Sequence, residues 1–139
     1  MRVLVDTGVW SAALRRAKRT EPEPARELRN LISDHRVEII GPIRQELLSG
    51  IREEAHFDRL EKHLTAFPDL QLTTQDFVTA AQFYNLCRAR RIQGSNTDFL
   101  ICAVAARHKL AIYTMDRDFC LFSRHLPIVL HAPDGAEQV

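Results

Sequence analysis

Four short apolar runs, separated by amphipathic segments, constrain the fold of this chain most strongly. They cover Arg2–Val5, Val37–Ile40, Ala111–Thr114 and Ile128–Leu130, and a weaker run covers Leu70–Leu72. Near-continuous apolar strands that alternate with helices are typical of a parallel sheet buried on both faces. The pattern therefore predicts a three-layer α/β/α domain with a central, mainly parallel sheet of about five strands.

The length of the chain bounds the number of domains. Its 139 residues, 45% of them hydrophobic, suffice for one core but not for two ordinary domains. We therefore predict a single domain over residues 1–139. No apolar run approaches the ~20 residues of a transmembrane helix. The opening residues, MRVLVDTGVW, also lack the long apolar stretch of a secretory signal, so we predict a cytoplasmic protein without membrane contact.

The cysteines and the net charge exclude some kinds of site. Cys87, Cys102 and Cys120 are odd in number and have no CxxC spacing, so neither a disulfide framework nor a zinc site is indicated. The chain has 19 basic and 18 acidic residues and a net charge of +1. This balance neither requires nor forbids a nucleic-acid partner, so the positions of the charges carry the information.

Four acidic residues are predicted to share one edge of the sheet. Asp6 follows the first strand and Asp116 follows the strand at 111–114, so both lie at carboxyl ends. Glu46 lies about one turn into the helix after the second strand. Asp98 begins a helix that runs antiparallel to the strand after it, which brings its first turn over the same edge. Ligands of open α/β sheets bind at this edge.

Each of these acids also has a purely structural interpretation. Asp98 and Asp116 suit the start of a helix, and Glu46 suits an ordinary surface. Asp6 is harder to explain in this way, because a carboxylate directly after a buried strand loses hydration without an obvious gain.

Together, the four carboxylates indicate a particular chemistry. Like charges in one crevice repel each other, and a hard divalent cation with oxygen ligands, Mg²⁺ or Mn²⁺, relieves that repulsion. Such a cation activates water and stabilises phosphodiester displacement. The pattern is typical of a metal-dependent nuclease.

The segments that contain these acids resemble the motifs of PIN-domain ribonucleases. They read VLVDT at 3–7, ELLSG at 46–50, DFLICAVA at 98–105 and TMDRDF at 114–119. They occur in the family's order over nearly the whole chain, and the size is similar to that of VapC, the toxin of bacterial VapBC toxin–antitoxin pairs. Two departures, Gly8 and Cys102, leave the acids unchanged.

The resemblance implies an endoribonuclease that uses Mg²⁺ or Mn²⁺ and an activated water, and that leaves a 5′-phosphate and a 3′-hydroxyl. It implies that four acids are catalytic and hold the metal: Asp6, Glu46, Asp98 and Asp116. It implies supporting roles for Thr7, Thr114 and Asp118, although Asp118 also suits a helix start. The implied partners are RNA, a VapB-like antitoxin and a second copy of the chain, with a heterotetramer or larger assembly formed with the antitoxin.

Two basic clusters are candidate RNA contacts. Arg15 and Arg16 follow the first helix, and Arg88 and Arg91 lie near the end of a long helix before Asp98. Their alternative explanation is structural, since basic side chains favour the carboxyl ends of helices.

Other functions remain open at this point. A PIN-like domain without catalysis would serve as an RNA- or protein-binding module. The triplet Asp6-Thr7-Gly8 also matches the D-T-G of aspartic proteases, which need two such aspartates and an all-β fold. A phosphoacceptor receiver domain would need a lysine at the end of a late strand, and the strands at 111–114 and 128–130 end without one.

Overall fold

A computed structural model describes residues 1–14 and 23–133 of the chain. In these residues, four strands form one parallel sheet in the order β2-β1-β3-β4. The strands are β1 (Val3–Val5), β2 (Val37–Glu38), β3 (Ala111–Tyr113) and β4 (Val129–Leu130). The predicted α/β class with a central parallel sheet is confirmed.

The prediction of a fifth strand at Leu70–Leu72 was wrong. In its place Asp69 forms an isolated parallel bridge with Ile39, and the Leu70 N–H donates to the Ile39 carbonyl at 2.9 Å. Beyond this contact the Gln71 carbonyl accepts from Arg107 Nη2 at 3.0 Å instead of pairing with a strand, and Thr73 then caps the next helix. Only one residue of the segment therefore pairs with the sheet.

Seven helices are present in the described residues. They are α1 (Thr7–Leu14), α2 (Glu23–Ser33), α3 (Gly41–Leu48), α4 (Glu54–Leu64), α5 (Thr74–Ala89), α6 (Asn96–His108) and α7 (Asp118–Ser123). Every residue of β1 and β3 is buried. Because successive strand residues point to opposite faces, the helices cover both faces of the sheet. None of the described helices has the length and apolar character needed to cross a membrane.

Helix α6 lies in the core and carries one of the candidate site residues at its start. All seven residues from Phe99 to Ala105 are buried, so the helix is surrounded by protein on every side. Its first turn is closed by a capping box, in which Ser95 and Asp98 each accept a hydrogen bond from the other's backbone N–H. The box fixes where α6 begins and therefore where Asp98 lies.

Helix α5 packs along α6 and is joined to it by an ion pair. Asp76, which is 1% exposed, accepts from Arg107 Nε at 2.6 Å and from its Nη2 at 2.8 Å. Asp76 also closes the capping box with Thr73 at the start of α5. The ion pair therefore joins the amino end of α5 to the last turn of α6.

Candidate functional site

Asp6 lies at the carboxyl end of the central strand β1. Its backbone N–H donates to the Tyr113 carbonyl at 2.9 Å, which extends the pairing of β1 with β3. Its Oδ1 accepts from the Thr7 N–H at 2.8 Å, and its Oδ2 accepts from the Thr114 hydroxyl at 2.8 Å. The chain moves from β1 to β2 on one side and later returns to β3 on the other, so Asp6 lies where the strand order reverses. Crevices at such a point bind ligands in open α/β sheets.

Glu46 is joined to this end of the sheet by Thr7. The Thr7 hydroxyl donates to Glu46 Oε2 at 2.7 Å, although the two residues are 39 positions apart. Thr7 begins α1, and Glu46 is an exposed residue near the end of α3. Thr7 thus contacts both acids, Asp6 through its backbone and Glu46 through its side chain.

Asp98 has the helix-start role that its sequence position also suggested. Its Oδ2 accepts from the Ser95 N–H at 3.0 Å, and its own N–H donates to Ser95 Oγ at 3.1 Å. The capping box uses only one of the two carboxylate oxygens, so capping α6 and binding a ligand are compatible functions of the same side chain. Ser95 was not among the predicted site residues, although the spacing Ser-x-x-Asp at 95–98 is a signal for a capping box.

Asp116 lies three residues past β3 and is exposed. Its N–H donates to the Thr114 hydroxyl oxygen at 3.0 Å. Its Oδ1 accepts from the backbone N–H of Asp118 at 2.9 Å. Asp118 is the first residue of α7, where a negative charge is favourable for the helix itself. A part for Asp118 in the site stays a prediction.

The pKa shifts indicate that the four carboxylates lie close together. Burial raises the pKa of Asp6, and the charges of Asp98 and Glu46 raise it further, against the lowering effect of its bonds to Thr114 and Thr7. Burial likewise raises the pKa of Asp98, with added repulsion from Asp116 and Glu46. We call these four residues, Asp6, Glu46, Asp98 and Asp116, the carboxylate cluster.

The carboxylate cluster has the chemistry of a divalent-cation site but does not enclose one by itself. Within residues 1–14 and 23–133, no three His, Cys, Asp or Glu side chains lie close enough to hold an ion on their own. Mg²⁺ typically keeps several waters and is held by only one or two carboxylates together with substrate phosphate. An all-oxygen donor set whose charges repel each other fits that kind of binding.

The predicted RNA contacts are only partly described. Arg15 and Arg16 lie outside the described residues. Arg88 is exposed in the last turn of α5, and its Nη1 donates to the Tyr84 hydroxyl at 3.3 Å. Arg91 is exposed just past α5 and has a left-handed φ of 61°. The contact of either residue with RNA stays a prediction.

The parallel α/β architecture argues against one alternative from the sequence. An aspartic protease would require an all-β fold, whereas Asp6-Thr7-Gly8 here joins a parallel strand to a helix. Gly8 lies in α1 rather than in a β-turn, so the D-T-G match is coincidental.

Comparisons with known proteins agree with this geometry. The model of the PIN domain family matches residues 3–124. The chain is 33% identical over 126 residues to VapC ribonuclease Mb1587 of Mycobacterium bovis and, to the same extent, to ribonuclease VapC11 of Mycobacterium tuberculosis. Each alignment covers 88% of this chain and 92% of the relative.

Solved structures share the fold at lower identity. The chain superposes on VapBC2 of Rickettsia felis, crystallised with a DNA fragment from their promoter, with a TM-score of 0.75 and 14% identity over 94% of this chain and 98% of that one. It superposes on FitAcB of Neisseria gonorrhoeae with a TM-score of 0.72 and 18% identity over 96% of this chain and 99% of the other.

Proposed function

The chain belongs to the PIN-domain family, and from this membership we propose that it is an endoribonuclease of the VapC type, the toxin of a toxin–antitoxin pair. Two curated VapC ribonucleases that match almost its full length support this function. We propose further that one PIN-like nuclease domain spans residues 1–139 and acts on RNA in the cytoplasm.

The observation that carries the proposal is the carboxylate cluster at the carboxyl edge of the sheet. Asp6 and Asp98 are partly buried and have raised pKa values, so their negative charge is unfavourable until a cation compensates it. These two residues are the proposed direct metal ligands. Glu46 and Asp116 are more exposed, and they complete the cluster and orient water.

A divalent cation, Mg²⁺ or Mn²⁺, would supply a water of lowered pKa and would neutralise the scissile phosphate. The protein's own residues position these groups. Thr114 holds Asp6 Oδ2, Thr7 holds Glu46, and Ser95 holds Asp98, each by a hydrogen bond of 2.7–3.0 Å. A fixed set of oxygens needs little reorganisation when the reaction begins, which is the main requirement for electrostatic stabilisation of a transition state.

The proposed partners follow from the solved neighbours. A solved structure with the same fold, with a TM-score of 0.60, is a toxin–antitoxin complex from Klebsiella pneumoniae, and VapBC2 of Rickettsia felis shares the fold as well. We propose a VapB-like antitoxin for this chain, a homodimer of the chain itself, and a heterotetramer or larger complex of both.

The test is cleavage of RNA by the purified chain with Mg²⁺, with Mn²⁺ or with EDTA, followed by mapping of new 5′-phosphate ends. We expect cuts with either cation, none with EDTA, and none with Asp6→Asn. Asp34→Asn is the matched control, because Asp34 is an exposed acid before β2, at the opposite edge of the sheet. Undiminished cleavage by Asp6→Asn would contradict the assignment. RNA binding without any cleavage would instead favour the catalytically silent binding module.

A further inference from the structure

A small pocket lies beside the carboxylate cluster, between the end of α5 and the start of α6. Its volume is about 320 Å³, and it is lined by Tyr84, Arg88, Ile92, Gln93, Gly94 and Phe99. We call it the Arg88 pocket. Small-ligand sites usually occupy ~300–1,000 Å³, so this pocket has room for a single nucleotide and none for a base-paired helix.

The floor of the Arg88 pocket is aromatic and closely packed. Phe99 contacts Phe122 with ring centroids 4.9 Å apart, and it lies edge-to-face with Tyr84 with ring centroids 5.5 Å apart. Gly94 lies against this floor so tightly that a Cβ there would lie 2.6 Å from Phe122 and 2.9 Å from Phe99. The concave shape is therefore built into the core packing, while Tyr84 is half-buried and Arg88 is exposed at the rim.

The polar groups of the pocket suit an anionic ligand with a flat ring. None of the lining residues is acidic, and Arg88 places a guanidinium at the rim. Its bond to the Tyr84 hydroxyl, at 3.3 Å, uses one of five donors and leaves the others for a phosphate. Gln93 adds an exposed amide that both donates and accepts hydrogen bonds.

The pocket adjoins the carboxylate cluster through the chain itself. Gly94 lines the pocket, and the next residue, Ser95, donates its N–H to Asp98 Oδ2 at 3.0 Å. Phe99, which also lines the pocket, directly follows Asp98 in the chain, and consecutive Cα atoms are ~3.8 Å apart. Pocket residues therefore flank Asp98, where the proposed scissile phosphate would lie.

We propose that the Arg88 pocket binds one unpaired nucleotide next to the scissile phosphate, with the base against Tyr84, the phosphate on Arg88 and the base edge at Gln93. Bases in loops and single strands are recognised in this way, by stacking on an aromatic ring and hydrogen bonds to the exposed edge. The inference rests on the proposed ribonuclease function and adds to it a subsite for one nucleotide. It also assigns Tyr84, Arg88 and Gln93 to substrate selection rather than to the chemical step.

The first part of the test is binding of a fluorescent 12-nucleotide single strand in EDTA, compared with a duplex of the same sequence. Tyr84→Ala removes the stacking surface and should weaken single-strand binding about tenfold, whereas Tyr84→Phe keeps the ring and should bind almost as wild type. Arg88→Gln should also weaken binding. Arg36→Gln is its matched control, because Arg36 precedes β2 at the opposite edge of the sheet.

The second part is cleavage of a single-stranded library with Mg²⁺. Tyr84→Ala and Arg88→Gln should raise KM with little change in kcat, and Gln93→Ala should relax the base preference at one position beside the cut. If these residues only supported the fold, their substitution would leave the base preference unchanged and would not raise KM without also lowering kcat. Thermal melting of each variant checks folding, and the exposed Arg88→Gln decides the question if Tyr84→Ala does not fold.

Three outcomes would contradict nucleotide binding by the Arg88 pocket. If Arg36→Gln and Arg88→Gln weakened RNA binding equally, the attraction would come from the overall positive charge and not from the pocket. Unchanged KM and base preference in an active enzyme would reject the pocket while leaving the ribonuclease intact. A Tyr84→Ala protein that binds RNA normally but changes its oligomeric state would mark a protein interface instead. Conversely, Arg88-dependent RNA binding without any cleavage would support the pocket and reject the nuclease function.

Discussion

The hydroxyl of Thr114 donates to Asp6 Oδ2 at 2.8 Å and joins two residues that are 108 positions apart in the chain. The same oxygen accepts from the Asp116 N–H at 3.0 Å. One small side chain at the end of β3 therefore orients the carboxylate at the end of β1 and the loop that carries a third member of the carboxylate cluster.

Loss of this hydroxyl should shift the pH dependence of cleavage. The bond from Thr114 stabilises ionised Asp6 and lowers its pKa against the raising effect of burial. In Thr114→Val the pKa of Asp6 should rise further, so the acid limb of log(kcat/KM) should move to higher pH. Thr114→Ser retains the hydroxyl and should keep the wild-type profile. A Thr114→Val profile that overlies the wild type would show that ionised Asp6 is not required.

Asp6→Asn should stabilise the protein when no metal is present. Burial raises the pKa of Asp6 in the folded protein above its unfolded value, near 3.8. Protonated Asp6 therefore stabilises the fold fully at pH values below 3.8, and this stabilisation is lost as the pH rises through the folded pKa. At neutral pH the neutral variant should therefore melt above the wild type in EDTA. The difference should vanish below about pH 3.8, and a difference independent of pH would contradict this explanation.

Mg²⁺ should raise the melting temperature of the wild type and leave Asp6→Asn almost unaffected. A ligand that binds only the native state at one hundred times its Kd stabilises by about 2.7 kcal/mol. Differential scanning fluorimetry across a Mg²⁺ titration measures this, with Asp34→Asn as the matched variant. Equal shifts in wild type and Asp6→Asn would place the ion elsewhere.

The ion pair between Asp76 of α5 and Arg107 of α6 should lose its contribution to stability in acid, which is the opposite of the effect expected for Asp6. The Arg107 guanidinium lowers the pKa of Asp76, with help from the Thr73 backbone. The stability that this carboxylate contributes is present above its unfolded pKa and is lost as pH falls through the lower folded value. Asp76→Asn should lower the melting temperature by several degrees at pH 7. The deficit should shrink under strong acid, and a melting temperature equal to that of the wild type at pH 7 would contradict the role of the pair.

Gly94→Ala should destabilise the fold by crowding. The added methyl would meet Phe122 and Phe99, which are 0% and 1% exposed. Overpacking of this kind costs about 1–3 kcal/mol, measurable by urea unfolding. Gly8→Ala is the control, since nothing lies within 4 Å of a Cβ at that position. Gly8 lies inside α1, where alanine has the higher helix propensity, so Gly8→Ala should not lower the free energy of unfolding. A Gly94→Ala protein as stable as the wild type would contradict the crowding.

The sequence was sufficient to predict the parallel sheet and the edge at which the acids lie. Runs such as Val3–Val5 and Ala111–Tyr113 are apolar throughout because both faces of their strands are buried. The sequence overestimated the strand at Leu70–Leu72, because the Gln71 carbonyl accepts from Arg107 Nη2, a partner 36 positions away that the local sequence does not indicate. It also treated Asp98 as either a helix-start residue or a site residue, whereas the capping box occupies one oxygen only.

The hydrogen bonds and ion pairs that position the polar side chains could not be predicted from the sequence. Thr7 with Glu46 and Asp76 with Arg107 are pairs separated by 39 and 31 positions. Such pairs depend on how the helices pack, and spacing along the chain carries no information about them. The Arg88 pocket depends in the same way on Gly94 lying against two buried rings.

The strand order has a consequence for the timing of activity during synthesis. The central strand β1 is synthesised before its neighbour β3, and the oxygens of Thr114 and Asp116 lie more than one hundred residues after Asp6. Until that last segment has paired, no partly made chain holds its four acids together. The carboxylate cluster can therefore form only after the segment through Asp116 has been synthesised and β3 has paired with β1.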